Sequence, residues 1–295
     1  MPRTVTLLIE PVPVDDARTD FDATFRAVDA SEPALRVGEL STQRGDGIFE
    51  TIGVVDGHAQ EVRPHLERLR NSARITELPE PNLAQWEAAV ASAVAELPAT
   101  GEYSVKLVLS RGVEHGPAPT AWLSAFPSAD QSGAREHGIR AVTLDRGYAK
   151  DAAERAPWLL LGAKTLSYAV NMSAIREAKR RGADDAIFVS SDGYVMEGPT
   201  STVILRHGDA YATPAPSGAI LHGTTQRSLF DHLAAKGRTV EEREIPVAEL
   251  DTADAIWLVS SVRLAAGVTE LDGRPVPYDA AETRAINDYL LSPRD

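Results

Sequence analysis

Cysteine is absent from the 295 residues, which excludes disulfides, thiolate catalysis and cysteine metal sites and leaves the redox compartment unreadable. No apolar window approaches the length that spans a bilayer. The opening run Met1-Pro2-Arg3-Thr4-Val5-Thr6-Leu7-Leu8-Ile9-Glu10 lacks the apolar stretch and cleavage site of a signal peptide, so the expected location is cytoplasmic. Positive charge is short: 30 basic residues face 43 acidic ones, for a net charge of −13. Duplex nucleic acid and anionic membranes repel such a surface, so neither is expected as the main partner. Lysine is scarcer still. Only Lys106, Lys150, Lys164, Lys179 and Lys236 occur, the other basic residues being arginine. Chemistry that needs a neutral amine therefore has those five candidates and the N-terminus.

What remains is ordinary for a globular protein, with 43% hydrophobic and 25% charged residues. The length exceeds one simple core, which favours two domains. Ile48 to Val55 is apolar and β-branched, and Asp56-Gly57 follows as a turn. Pro64 opens a helix with Leu66, Leu69 and Ala73 on one side, and Leu83 to Leu97 reads as a second. Strands are expected over Tyr103 to Ser110 and Trp122 to Phe126. A polar, Ser/Gly-containing stretch from 127 to 138 has linker composition and divides an N-terminal domain, 1–126, from a C-terminal one, 139–295. In the second domain, strands are expected at Ile139 to Leu144, Ala186 to Ser190, Ser201 to Leu205, Thr239 to Ile245 and Ala255 to Val259. Helices are expected at Leu166 to Arg181 and Thr225 to Lys236. This is α+β, not a regular βαβ alternation.

Several motifs fail. Gly45-Asp46-Gly47 begins like a dinucleotide fingerprint, but Glu50 stands where the third glycine belongs and a strand follows rather than a helix. There is no phosphate loop and no Gly-x-Ser-x-Gly. The seven histidines show no metal-ligand spacing, so no metal is expected.

Four features carry chemistry. Lys164 lies in Trp158-Leu159-Leu160-Leu161-Gly162-Ala163-Lys164-Thr165-Leu166-Ser167-Tyr168, with no charge within five positions on either side. Such surroundings desolvate an ammonium and favour the neutral amine, which attacks carbonyls and forms Schiff bases. The plainer alternative is a lysine that snorkels at the edge of an element. Glu197, in Val195-Met196-Glu197-Gly198-Pro199, follows a turn among small residues, where a buried carboxylate needs a cation such as a protonated pyridine. A solvated turn glutamate is its alternative. Gly223-Thr224-Thr225 before a helix has the make-up of an anion site, or of an ordinary threonine cap. Arg63 precedes the Pro64 helix and offers a planar fork for phosphate, or is one surface arginine among many. Together these supply an amine, a partner for a pyridine nitrogen and a phosphate cup, which is what pyridoxal phosphate requires.

From Gly45 to Val268 the chain resembles the class IV, or fold type IV, pyridoxal-phosphate aminotransferases. That group contains branched-chain and D-amino acid aminotransferases, (R)-amine transaminases and 4-amino-4-deoxychorismate lyases. Gly45-Asp46-Gly47-Ile48-Phe49-Glu50-Thr51 is similar to the early motif, and Arg63-Pro64-His65-Leu66-Glu67-Arg68-Leu69 to the Arg-x-His-x-x-Arg-Leu segment. Glu197 to Val203 resembles Glu-Gly-x-x-x-Asn-Val, with Thr202 in place of the asparagine.

The resemblance implies roles. Lys164 is the Schiff-base lysine and proton carrier, and Glu197 pairs with the pyridine nitrogen. Arg63, Thr224, Thr225 and Ser261 hold the phosphate, although Val262 departs from the family's pattern after Ser261. Leu221 packs on the cofactor ring and Tyr168 reaches its phenolic oxygen. The implied fold is a small α/β N-terminal domain and a larger C-terminal pseudo-barrel domain, in a homodimer. The implied activity moves an amino group between an amino donor and a keto acid acceptor.

For the branch, Ser110-Arg111-Gly112-Val113-Glu114-His115-Gly116 lacks the Arg-x-His carboxylate trap of D-amino acid aminotransferases. Ser260-Ser261-Val262-Arg263 does not match the Gly-Thr-Ala-Ala loop of the branched-chain enzymes. Arg44, Arg111 and Arg263 are the candidates for the substrate carboxylate. A transaminase of D-amino acids or (R)-amines is expected, with the lyase, which yields 4-aminobenzoate and pyruvate, as the alternative.

Overall fold

A computed structural model describes residues 4–216 and 218–295. The chain forms two units, the first being everything up to Ala129 together with Ala163–Tyr168 and Pro293–Asp295. The second comprises Asp130–Gly162 and Ala169–Ser292.

The first unit is built on β1 (Val5–Ile9), β2 (Phe25–Val28), a one-turn α1 (Leu40–Gln43), β3 (Gly47–Val55), β4 (His58–Ala59), α2 (Val62–Ile75), α3 (Leu83–Ala95), β5 (Glu102–Ser110) and β6 (Thr120–Pro127). Its antiparallel sheet runs β2-β1-β6-β5-β3-β4. Period-two alternation divides the faces. Ile48, Ile52, Val54, Val105, Leu107, Leu109, Leu123 and Ala125 point one way and are buried with Leu66, Leu69 and Ala73 of α2 and Trp86, Ala89 and Val90 of α3. Phe49, Thr51, Lys106, Val108 and Ser124 take the opposite parity, with Thr51 and Ser124 as the two cross-strand partners of Lys106. Asn82 caps α3 by accepting from the Gln85 N–H, and Thr76, Glu77 and Leu78 close α2.

Ala163–Tyr168 joins this first sheet across an interval of more than thirty residues. Phe49 N–H donates to the Lys164 carbonyl (2.9 Å) and Leu166 N–H to the Gly47 carbonyl (2.8 Å), with Ile48 opposite Thr165. Gly47 allows this approach, because a Cβ there would stand 2.8 Å from Leu166 Cδ1 and 2.9 Å from the Leu109 carbonyl oxygen. The helix expected from Leu166 accordingly starts only at Ala169. The stretch from 127 to 138, with linker composition, holds the end of β6 and a short helix, α4 (Ser132–His137).

In the second unit, β7 (Ile139–Asp145), α5 (Ala152–Arg155), α6 (Ala169–Arg180), β8 (Asp185–Val189), β9 (Thr202–His207), β10 (Ala210–Pro214), α7 (Thr224–Ala235), β11 (Thr239–Arg243), β12 (Ala255–Ser260), β13 (Leu264–Leu271), β14 (Arg274–Pro275) and α8 (Ala280–Leu291) follow in turn. The mixed sheet runs β11-β10-β9-β12-β13-β7-β8, with β14 on β13. Its β10–β11, β13–β7 and β7–β8 pairs are parallel. Both faces are covered, which is why β12 reads as an unbroken apolar run. Ile256 and Leu258 join Val203, Leu205 and Ala266 on one side, while Trp257 and Val259 pack with Leu229 and Phe230 of α7 and Ile286 and Leu290 of α8 on the other. Among the described residues no helix is long and apolar enough to cross a membrane.

Candidate active site

The first unit positions Lys164 by sheet geometry. Opposite Phe49, on a strand-like segment that antiparallel pairing holds in register, Lys164 shares the sheet face of that ring. Its Nζ lies 4.7 Å from the Phe49 ring centre and 5.8 Å from that of Tyr168, and the two rings meet edge to face at 5.2 Å. The Lys164 N–H donates to Ser72 Oγ of α2 (3.1 Å), so the backbone carrying the amine is held from both sides. An ammonium over an aromatic face is favoured by the ring quadrupole, and the aromatic wall limits its hydration.

Lys106 is the second lysine at this ring, with its Nζ 5.0 Å from the Phe49 centre. Burial holds its pKa below the ordinary lysine value.

Beneath the same segment lies a buried polar group. Glu50 Oε1 accepts from Arg68 Nε (2.7 Å), Oε2 accepts from Arg68 Nη2 (2.8 Å), and His65 Nδ1 stands 2.7 Å from Oε2. Burial pushes the Glu50 carboxyl up, but Arg68 and His65 outweigh it and hold it well below the usual carboxylate range. Burial also pushes His65 down, against the pull of Glu50. Arg68 precedes Ser72 by one helical turn, so it shares the face of α2 that meets Lys164, and Tyr168 adds to the field at its guanidinium.

The second unit gathers the hydroxyls and the carboxylate. Gly223 caps α7 with no side-chain acceptor of its own, and Thr224 and Thr225 are both buried at the helix start. Their Oγ atoms lie 3.4 and 3.2 Å from Ser261 Oγ, at the β12–β13 turn. Three hydroxyls converging on a helix N-terminus have the make-up of an anion site. One Glu197 oxygen accepts from the Leu221 N–H (3.0 Å), and the loop that carries it is tied to α6 where Asn171 Nδ2 donates to the Pro199 carbonyl (2.7 Å). Burial raises the pKa of Tyr148, Arg146 opposes this, and the Glu197 charge adds to the rise, which places the tyrosine in the field of that carboxylate.

Other expected positions are engaged elsewhere. Arg63 is 57% exposed and ion-paired to Glu67 and Glu87 at 3.0 and 2.9 Å. It sits nine residues before Ser72, roughly half a helical turn around α2 from the face that meets Lys164. Arg44 pairs with Glu114 on the surface. Arg111 is spent on Asp46 and on the Thr76 and Glu77 carbonyls, and Arg263 on the buried Asp185. All three candidate carboxylate arginines thus already hold acidic partners. Arg68 and Lys106 are the cations that sequence reasoning passed over. The helical spacing from Arg68 to Ser72 and the place of Lys106 between the core-facing Val105 and Leu107 of β5 are the signals that mark them.

Taken separately, the first unit offers an amine of the kind an aldehyde cofactor takes, and the second offers a carboxylate and three hydroxyls of the kinds that suit a pyridine nitrogen and a phosphate. Comparison with known proteins gives the family. Residues 47–271 match the family model for amino-transferase class IV. Over 255 residues the chain is 49% identical to a bifunctional aminodeoxychorismate lyase / D-amino acid transaminase of Mycobacterium tuberculosis, covering 83% of this chain and 88% of that protein. A fold IV transaminase from Curtobacterium pusillum superposes with a TM-score of 0.92 at 48% identity, over 98% of this chain and 97% of that one. The PLP-bound form of a hypothetical aminotransferase from Mycobacterium tuberculosis gives 0.87 at 42% identity, over 98% and 99% of the two chains. The chain therefore belongs to the class IV aminotransferases. It is an α+β, fold type IV enzyme that uses pyridoxal 5′-phosphate and works on amino acid and keto acid substrates.

Proposed function

We propose that the enzyme is a transaminase of D-amino acids and related (R)-amines, with a keto acid as acceptor. The observation that carries this reading is the Lys164 segment seated against Phe49 and Tyr168, joined to the D-amino acid transaminase activity in the name of the 49%-identical relative. Bound pyridoxal phosphate supplies the electron sink that makes the Cα proton of an amino acid removable. Lys164 Nζ takes that proton and delivers it again. Glu197, with one oxygen on the Leu221 N–H, accepts from the ring nitrogen and keeps it protonated. The Thr224, Thr225 and Ser261 hydroxyls and the start of α7 hold the phosphate. Arg68, rather than Arg63, supplies the arginine, because it lies on the face of α2 where Ser72 meets the Lys164 backbone, whereas Arg63 lies roughly half a turn away. Tyr168 walls the amine, and Leu221 lines the ring. A homodimer is supported by the apolar side chains that the second unit leaves exposed, Trp158 (75%), Val170 (58%) and Met172 (44%).

The test is spectroscopic. D-alanine or D-glutamate, added to the holoenzyme without an acceptor, is expected to replace its longer-wavelength band by a shorter-wavelength one, and pyruvate or 2-oxoglutarate to restore it. A response to L-amino acids alone would overturn the stereochemical assignment. The second reading is the lyase, favoured by the other activity in that relative's name. Release of pyruvate and 4-aminobenzoate from aminodeoxychorismate, with no response to any D-amino acid, would establish it in place of the first.

A further inference from the structure

Lys106 occupies an unusual place. It stands mid-strand in β5, one strand in from β3, with strands paired on both sides. Its side chain is half-buried on the sheet face opposite the α2–α3 core. Its cross-strand partners, Thr51 and Ser124, are neutral, and Ser124 is itself 3.1 Å from Thr6 Oγ1. Among the described residues no carboxylate lies within ion-pair distance of its Nζ, and its one close partner is the Phe49 ring at 5.0 Å. A cation desolvated in this way costs stability and is not repaid by a fixed anion. Every other cation proposed for the substrate carboxylate has such an anion: Arg44 has Glu114, Arg111 has Asp46 and Arg263 has Asp185.

The Lys106 ammonium and the Lys164 amine share the Phe49 ring, at 5.0 and 4.7 Å from its centre. We propose that Lys106 is the anionic subsite of the enzyme, its ammonium holding a carboxylate of the amino donor and of the keto acid while Lys164 works on the adjacent carbon. The assignment rests on the transaminase reading above. It gives the protein a compact point charge where a trap of the Arg-x-His kind is absent. Burial lowers the Lys106 pKa, and a carboxylate bound beside it would raise it again by favouring the charged form. Phe49 fixes the separation of the two amines, because its strand pairs with the Lys164 segment on one side and with β5 on the other.

Binding to the holoenzyme tests this without turnover. Titration calorimetry would give Kd values for pyruvate, 2-oxoglutarate and the neutral isostere pyruvamide with wild type, Lys106→Met and Lys106→Arg. A lost charge-assisted bond predicts keto acid binding weaker by roughly ten- to hundred-fold in Lys106→Met, a partial recovery in Lys106→Arg and no change for pyruvamide. Equal losses for both keto acids support the α-carboxylate as the group held, and a loss confined to 2-oxoglutarate overturns that assignment, because its distal carboxylate is not next to the reacting carbon. Unchanged keto acid binding in Lys106→Met, beside normal binding by wild type, overturns the subsite and leaves the functional reading standing. An equal loss for pyruvamide, together with a displaced pH titration of the holoenzyme band, also overturns it, in favour of Lys106 acting on Lys164 by charge alone. If wild type binds neither keto acid and neither restores the longer-wavelength band after D-alanine, the transaminase reading itself fails.

Discussion

Arg68 grips Glu50 through two parallel bonds of 2.7 and 2.8 Å, at a point where the carboxylate is fully buried and the guanidinium side chain is only 11% exposed. The pair links β3, which carries Phe49, to α2, which carries Ser72, and so braces both elements that hold Lys164. Glu50→Gln strips the charge from one partner and leaves the other buried. We expect a loss of about 3–5 kcal/mol in urea unfolding at pH 7. A loss under 1 kcal/mol would show that the pair is not a brace.

The same group sets the response to acid. His65 and Glu50 both have folded pKa values depressed from their ordinary 6.5 and 4.5. The unfolded chain therefore binds more protons than the folded one, first below 6.5 and then below 4.5. The stability these groups contribute is present above those values and is lost as pH falls toward the folded pKa of each. Wild type should weaken in two stages on acidification, and Glu50→Gln should lose the stage below 4.5 while keeping the upper one. An unaltered low-pH slope in the variant would contradict this.

Lys164→Ala should fold normally, bind cofactor non-covalently and lose at least about 10²–10⁴-fold in kcat, the range for a positioned proton carrier. Borohydride reduction followed by peptide mass spectrometry locates the attachment in wild type. Cofactor fixed to Lys106 or Lys236 instead would transfer the role to that residue.

Two arginines of α2 separate surface from site. Arg63→Ala removes exposed ion pairs with Glu67 and Glu87, so stability should change by less than about 1 kcal/mol and cofactor Kd by no more than two- to three-fold. Arg68→Lys keeps the charge opposite Glu50 but loses the fork, and cofactor Kd should rise roughly tenfold or more, with circular dichroism unchanged. The reverse ranking would return the phosphate role to Arg63.

Gly223 leaves no room for a side chain, because a Cβ there would collide with Thr202 Oγ1. Gly223→Ala should therefore displace the start of α7, lower stability by about 1–3 kcal/mol and weaken cofactor binding. Its φ of −69° suits alanine, so the penalty is contact alone. Thr202→Ala removes the colliding oxygen, and the double variant should recover most of the loss. Additive defects would place the strain elsewhere.

Local pattern alone determined much of this protein. The β-branched run after Gly47, the Pro64 and Leu83 helices and the apolar β12 are legible because period and punctuation lie within a dozen residues. The lack of charge around Lys164 and the Gly-Thr-Thr start of α7 are local in the same sense, and the motif order from Gly45 to Val268 pointed to the family. Tertiary structure decided which way each cation faces. Arg63 and Arg68 look alike in sequence, and five residues of helix turn one toward Glu67 and Glu87 and the other toward Glu50. Lys106 reads as a strand lysine of either orientation until the register sets it beside Phe49. Ala163–Tyr168 belongs to the first unit through two backbone hydrogen bonds and one bridge to β3, contacts between positions more than a hundred residues apart. Such pairings follow from chain topology, since a strand edge accepts any backbone that reaches it and side-chain composition does not record which segment will.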